Sequence, residues 1–84
     1  MKDVNEIRKA IDSTDDVIKN AFVKRMEICK EIAEAKKNSA SPVSDPAREN
    51  AVLFRLTEGL PENYAKYLKE LYSVIFSVSK AYQS

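Results

Sequence analysis

Residues 18–36 read IKNAFVKRMEICKEIAEAK, and they carry the strongest helical pattern in the chain. Apolar and cationic side chains recur in it at alternating steps of four and three residues, which places them on one face of an α-helix. We call this face the mixed stripe, and its members are Ile18, Phe22, Arg25, Cys29, Ile32 and Lys36. The stripe is expected to be buried, and because a buried unpaired cation is costly, we expect Arg25 and Lys36 to meet an anion. Taken alone, each cation is also compatible with a packed stem whose charged head reaches water.

The segment before the stripe extends the same helix toward the N-terminus. Asp3 followed by Glu6 resembles a capping box, and Val4 and Ile7 begin the apolar pattern. The polar residues 38–42, NSASP, form the first break. The first helix is therefore predicted to span about 35 residues without interruption.

The rest of the chain predicts two shorter helices. Asp45-Pro46 is typical of an N-cap followed by proline at the first helical position. Gly59 stands where a helix C-terminal cap is expected, and Pro61 opens the third helix. The apolar stripe of this third helix consists of Leu68, Leu71, Ile75, Val78 and Tyr82.

The predicted length of the first helix has a consequence for assembly. A helix of about 35 residues is about 50 Å long, whereas a compact globule of this chain length is only about 30 Å across. The remaining residues are too few to cover such a rod. We therefore expect an all-α fold with three helices per chain and a very long first helix, in an intertwined homodimer, with residues 1–84 forming a single domain.

Composition excludes several classes of protein. The chain contains no histidine, which rules out histidine-based metal sites and Ser-His or Cys-His nucleophile pairs. Cys29 is the single cysteine, so an intrachain disulfide is excluded, and a small buried hydrophobe is its expected role. A net charge of +1 gives no indication of a nucleic-acid partner. Since no signal peptide or membrane-spanning run is recognisable, we expect a cytoplasmic protein without membrane association.

Other charged and polar residues occupy positions where two interpretations stay open. Arg48 and Glu49 lie in the first turn of the second helix, where a solvated helix start is the simpler interpretation. Arg8 flanks the apolar pattern of the first helix, where a surface charge is more usual. Ser79 and Gln83 lie one turn apart on the third helix and are compatible with a boundary face. None of these signals is specific alone, and only their joint pattern is informative.

That joint pattern resembles the all-helical class of chorismate mutase over almost the full chain. The blocks that carry the resemblance follow the family's order, without gaps as far as Glu49. They are Ile7-Arg8-Lys9-Ala10-Ile11-Asp12 with Asp15, Lys24-Arg25-Met26, Ala33-Glu34-Ala35-Lys36, Pro42-Val43-Ser44-Asp45-Pro46-Ala47-Arg48-Glu49, and Ser79 with Gln83. The family's fold is an intertwined dimer whose long first helices are shared by two active sites, in agreement with the length argument.

The resemblance implies one group of residues that binds the carboxylates of chorismate. Arg25 and Arg48 would hold the two carboxylates, and Ser79 would assist them. Arg8 would join this group from the first helix of the other subunit. The small-molecule partner implied is therefore chorismate, bound at sites shared between two copies of the chain.

A second implied group acts on the reacting bond and the ring. Lys36 and Gln83 would donate to the ether oxygen whose C–O bond breaks. Glu49 would accept a hydrogen bond from the ring hydroxyl, with the backbone of Asp45 nearby. Together with Arg25, these side chains are the expected catalytic residues.

The implied activity is the pericyclic (Claisen) rearrangement of chorismate to prephenate in phenylalanine and tyrosine biosynthesis, an isomerase reaction that needs no metal and no cofactor.

A first alternative is the isochorismate pyruvate lyase, which has the same fold but lacks a carboxylate at the position of Glu49 and a serine at that of Ser79. A second is a non-catalytic helical dimer that regulates an aromatic-pathway enzyme. Such a dimer would not need the implied cations and the glutamine together, so the mutase is favoured.

Overall fold

In the computed structural model, which describes residues 3–37 and 45–83, the chain folds into three helices. These are α1 (Val4–Lys36), α2 (Pro46–Thr57) and α3 (Glu62–Gln83). No strand occurs within the described residues. The predicted all-α architecture with a very long first helix is confirmed, while the predicted break at residues 38–42 lies outside the described residues.

Local capping interactions set the helix ends where the sequence predicts them. The Asp3 side chain accepts a hydrogen bond from the backbone N–H of Glu6 at 2.9 Å, and Asp45 accepts one from the N–H of Arg48 at 3.1 Å. Each bond satisfies a backbone donor that the start of a helix leaves without an intrahelical partner. After α2, Gly59 has a φ of 79°, a left-handed conformation that glycine adopts at little cost.

The third helix packs against both of the others, and the core forms where the three meet. The buried side chains among the described residues are Cys29 of α1, Val52 of α2, and Phe76 and Ser79 of α3. Tyr72 packs edge-to-face on Phe76, with ring centroids 5.5 Å apart. The core is therefore concentrated along the C-terminal half of α1.

Only part of the apolar stripe predicted for α3 is covered within the chain, where Leu68 and Ile75 are partly buried. Leu71 and Tyr82, two members of that stripe, are 54% and 51% exposed within the chain. Phe76 and Ser79 contact α1 through its Arg25. A guanidinium is attracted to an aromatic face and donates hydrogen bonds to a hydroxyl, so Phe76 and Ser79 offer Arg25 favourable contacts on this face of α3.

Much of the mixed stripe is not covered by this chain. Cys29 is buried, but Ile18 is 58% exposed, Phe22 42% and Ile32 40%. The 22 residues of α3 extend about 33 Å, against about 50 Å for the 33 residues of α1. The expectation of a buried stripe therefore holds fully within one chain only at Cys29, while Arg25 and Lys36 are partly buried.

The overall dimensions reflect this uncovered rod. The chain measures 57 × 26 × 16 Å, with a Cα radius of gyration of 16.2 Å. A compact domain of this length has a radius of gyration of about 12 Å.

Residues 3–37 and 45–83 contain no helix with the length and apolar character needed to cross a membrane.

Candidate functional site

A cavity of about 180 Å³ lies where the C-terminal half of α1 meets the start of α2 and the end of α3. Helix α1 contributes Arg25, Cys29, Ile32 and Lys36 to its wall. The start of α2 contributes Asp45, Arg48, Glu49 and Val52, and α3 contributes Phe76, Ser79, Lys80 and Gln83. The cavity therefore gathers side chains from three helices that are far apart in the sequence.

Arg25 is held at the cavity by contacts on several sides. Its guanidinium donates a hydrogen bond to Oγ of Ser79 and lies 5.8 and 5.9 Å from the ring centroids of Tyr72 and Phe76. Its Nη1 also lies 3.8 Å from Sγ of Cys29. The Ser79 hydroxyl in turn donates to the carbonyl of Ile75 at 2.7 Å, which fixes its orientation. The charged head of Arg25 is thus positioned within the protein rather than extended into water.

The start of α2 presents charged side chains to the same cavity. The Asp45 carbonyl accepts the N–H of Glu49 at 3.0 Å, and the Asp45 side chain caps the helix. This capping fixes the first turn and with it the positions of Arg48 and Glu49. The Glu49 carboxylate forms an ion pair with Lys80 of α3, with 3.1 Å between Nζ and Oε2.

Gln83 is the last residue of α3, and its side chain lines the cavity. Its Oε1 atom is buried and has no hydrogen-bond partner within the described part of the chain. Buried polar atoms are paired in the great majority of cases, so an unpaired one points to a partner that binds there. Because a half-turn of the amide exchanges its oxygen and nitrogen, the same side chain can present a donor to that partner.

The cavity brings together seven of the eight residues that the sequence singled out. Arg8 is the exception, since it is exposed and does not line the cavity. It precedes Arg25 by 17 positions on the same helix, a separation of about 25 Å along the helix axis. Within one chain, Arg8 therefore stays away from the other predicted site residues.

Lys80 is the charged residue that the sequence analysis missed. The available signal was its spacing, because it directly follows Ser79 and precedes Gln83 by three positions. Residues so placed lie within one turn of each other on a helix. With Lys80 included, the cavity wall carries four cationic side chains and two carboxylates, an excess of two positive charges. Such a wall is suited to a small ligand that carries two negative charges.

Fold and site together define an all-helical protein with a cation-rich pocket for a small anion. The model of the family chorismate mutase type II matches residues 7–84, and the chain belongs to this family. A chorismate mutase of Methanocaldococcus jannaschii is 37% identical to the chain over 51 residues, a match that covers 61% of this chain. The match spans about half, 52%, of the length of that curated relative. No solved structure matches the chain significantly.

Proposed function

We propose that this protein catalyses the rearrangement of chorismate to prephenate at the cavity between its three helices. The observation that carries the proposal is the cavity wall, whose excess of two positive charges complements the two carboxylates of chorismate. Membership of the chorismate mutase type II family supports the same substrate. The reaction is an isomerisation and places the protein in the biosynthesis of phenylalanine and tyrosine.

In the proposed complex, arginines hold the carboxylates. Arg25, already oriented by Ser79 and by two aromatic rings, binds one carboxylate. Arg48, in the first turn of α2, binds the other. Guanidinium groups suit this task because their planar array of donors matches the two oxygens of a carboxylate. Ser79 assists through its contact with Arg25.

The remaining polar groups act on the ether bridge and on the ring. As the C–O bond of the bridge breaks, a C–C bond forms between the methylene of the enolpyruvyl group and the ring, and no proton is transferred. Negative charge grows on the ether oxygen, where the ammonium of Lys36 and the amide of Gln83 donate hydrogen bonds. Glu49 accepts a hydrogen bond from the ring hydroxyl, and the backbone of Asp45 lies near this hydroxyl.

Two physical effects account for the rate in this scheme. Holding both carboxylates places the enolpyruvyl side chain over the ring, which removes much of the entropic barrier of a unimolecular reaction. The donors at the ether oxygen bind the transition state more strongly than the ground state, because the charge they face develops only as the bond stretches. Neither effect needs a nucleophile, a metal or a cofactor.

We further propose that the active form is a homodimer in which each α1 covers the other. The support is the uncovered apolar surface of α1, where Val4, Ile7, Ile11, Ile18 and Phe22 are between 42% and 60% exposed. Burial of apolar surface is the main driving force of such an association. In this arrangement Arg8 of one subunit completes the site that contains Arg25 of the other.

The dimer proposal predicts a mass of about twice the 9.5 kDa of the chain in solution. We expect dilution to reduce mass and helicity together, because an isolated α1 leaves its apolar face in water. Sedimentation or light scattering over a range of concentrations, with circular dichroism on the same samples, is the measurement. A well-folded monomer at micromolar concentration would refute this architecture.

Shared sites predict that two inactive variants can complement each other. Arg8→Ala and Arg25→Ala are each expected to be inactive as homodimers. In a mixed dimer one site carries both lesions and the other carries neither, so mixing the variants under subunit exchange should restore a fraction of the activity. No recovery, despite exchange demonstrated with tagged subunits, would mean that each site is built within a single chain.

The proposed function is tested most simply by following the absorbance of chorismate after addition of the purified protein. We expect rapid loss of the chorismate signal. Acid treatment should then convert the product to phenylpyruvate, which identifies the product as prephenate. A parallel assay with isochorismate tests for isochorismate pyruvate lyase activity. We expect none, because the chain has a carboxylate at Glu49 and a serine at Ser79. Chorismate that remains stable in the presence of the folded dimer would favour the non-catalytic alternative.

A further inference from the structure

Lys80 is the cation of the cavity wall that the proposed reaction scheme does not use. It lies between Ser79 and Gln83 on α3 and pairs with Glu49 of α2, with Nζ 3.1 Å from Oε2. Its side chain is 36% exposed and that of Glu49 is 26% exposed. The ion pair is therefore partly buried, and both of its members line the cavity.

Pairing at one carboxylate oxygen has a geometric consequence for Glu49. A carboxylate accepts hydrogen bonds at both oxygens, so an ammonium held at Oε2 fixes the rotation of the group while acceptor capacity remains for a ligand hydroxyl. A glutamate side chain without such a partner loses more rotamer freedom when it binds a ligand. Lys80 can thus prepare Glu49 for a hydroxyl-bearing ligand before that ligand arrives.

The pair also has an electrostatic consequence. Glu49 places a negative charge in a cavity that is proposed to bind a dianion, and like charges at close range oppose binding. The ammonium of Lys80 offsets that charge at a distance of one hydrogen bond. Without Lys80, the excess of positive charge on the cavity wall falls from two to one.

We propose that Lys80 is a positioning residue for Glu49, which it orients and neutralises so that the carboxylate can accept the ring hydroxyl of a bound dianion. The inference rests on the proposed function, since it assigns Glu49 to the hydroxyl of chorismate. Lys80 acts on binding through Glu49 and does not contact the breaking bond. Its removal therefore affects KM more than kcat.

A set of variants tests this role. Lys80→Gln removes the ammonium, Lys80→Arg keeps the charge and a donor, and Glu49→Gln removes the carboxylate on which Lys80 acts. Lys69→Gln is the matched control, because Lys69 is exposed on the same helix, does not line the cavity and loses the same charge. We expect Lys80→Gln to raise KM for chorismate about five- to tenfold, the effect of losing one charge-assisted hydrogen bond at a partly exposed site. Lys80→Arg should recover most of this loss, and Lys69→Gln should match the wild type.

The double variant Glu49→Gln/Lys80→Gln separates the proposal from its rivals. If Lys80 acts through Glu49, the double variant has the same KM as Glu49→Gln alone. An equal increase in KM in both backgrounds would show that Lys80 acts on the dianion directly, which overturns the proposal. A loss of helicity or thermal stability in Lys80→Gln with KM unchanged would make the pair a brace between α2 and α3, which also overturns it. A wild type that does not convert chorismate is a separate outcome, because the proposed function then fails and the role of Lys80 fails with it.

Discussion

Replacement of Lys36 by methionine is expected to lower kcat/KM for chorismate by roughly 10²- to 10³-fold, with most of the loss in kcat. This is the typical cost of removing one preorganised donor from a developing negative charge. Methionine keeps an unbranched stem of similar length, so the packing of the mixed stripe is largely retained. The loss falls on kcat because the ether oxygen becomes strongly negative only in the transition state. Steady-state kinetics of the purified variant is the measurement.

Lys37→Met is the control for this experiment. Lys37 directly follows Lys36, is exposed and does not line the cavity. The control removes the same charge at nearly the same place on the chain, and it should retain wild-type kinetics. Equal losses in the two variants would mean that the general positive field near the end of α1 matters rather than a hydrogen bond from Lys36. A Lys36→Met variant with normal kcat would remove Lys36 from the catalytic residues.

Gln83→Glu is expected to lower kcat/KM at neutral pH by roughly 10²-fold or more, and the activity should recover as the pH falls. Glutamine donates an N–H at any ordinary pH, whereas an ionised glutamate only accepts and places a negative charge against an oxygen that is becoming negative. Protonation of the introduced carboxyl restores a donor of nearly the same shape. The activity should therefore rise as the pH drops through the pKa of that carboxyl. The measurement is kcat/KM against pH for the wild type and the variant.

Two controls accompany this pH profile. Gln83→Met has a similar size but no donor, so we expect it to stay weak at every pH. Circular dichroism at each pH separates catalysis from folding, which matters because Gln83 is the last residue of α3. A Gln83→Glu profile parallel to that of the wild type would mean that Gln83 does not contact the breaking bond, and the end of α3 would lose its catalytic assignment.

Local signals account for the helix boundaries that the sequence predicted correctly. Capping at Asp3 and Asp45 depends on residues three positions away, and Gly59 has a left-handed conformation that glycine adopts at little cost. Such interactions involve neighbours in the sequence, so single residues and their spacing are enough to predict them. The helix boundaries followed from these signals, whereas the long first helix and the third helix were predicted from their apolar periodicity.

Contacts between helices were predictable only in part. The apolar spacing of α3 indicated a stripe through Leu71 and Tyr82, yet Phe76 and Ser79 are the buried residues of this helix and contact Arg25 of α1. These contacts involve a guanidinium more than fifty positions away along the chain, which periodicity does not register. The pairing of Lys80 with Glu49 was missed for the same reason, since the two residues lie on different helices and far apart in the sequence.

The candidate site followed from the family pattern rather than from physical spacing alone. Taken one at a time, Arg48, Glu49, Ser79 and Gln83 each had an ordinary surface interpretation. The structure places them at one cavity together with Arg25. The location of Arg8 far along α1 fits a role in a second site, and this role depends on the proposed dimer.

Product analysis by proton NMR shows whether the protein converts chorismate to prephenate. Purified wild-type protein is mixed with chorismate in buffer that contains a chelator and no added cofactor, and the spectrum is recorded over time. We predict that chorismate signals are replaced by those of prephenate alone, at a rate that falls by roughly 10²- to 10³-fold for Lys36→Met and not at all for Lys37→Met. Chorismate that decays only at the rate of a protein-free sample, or a spectrum in which pyruvate accumulates, would contradict the account.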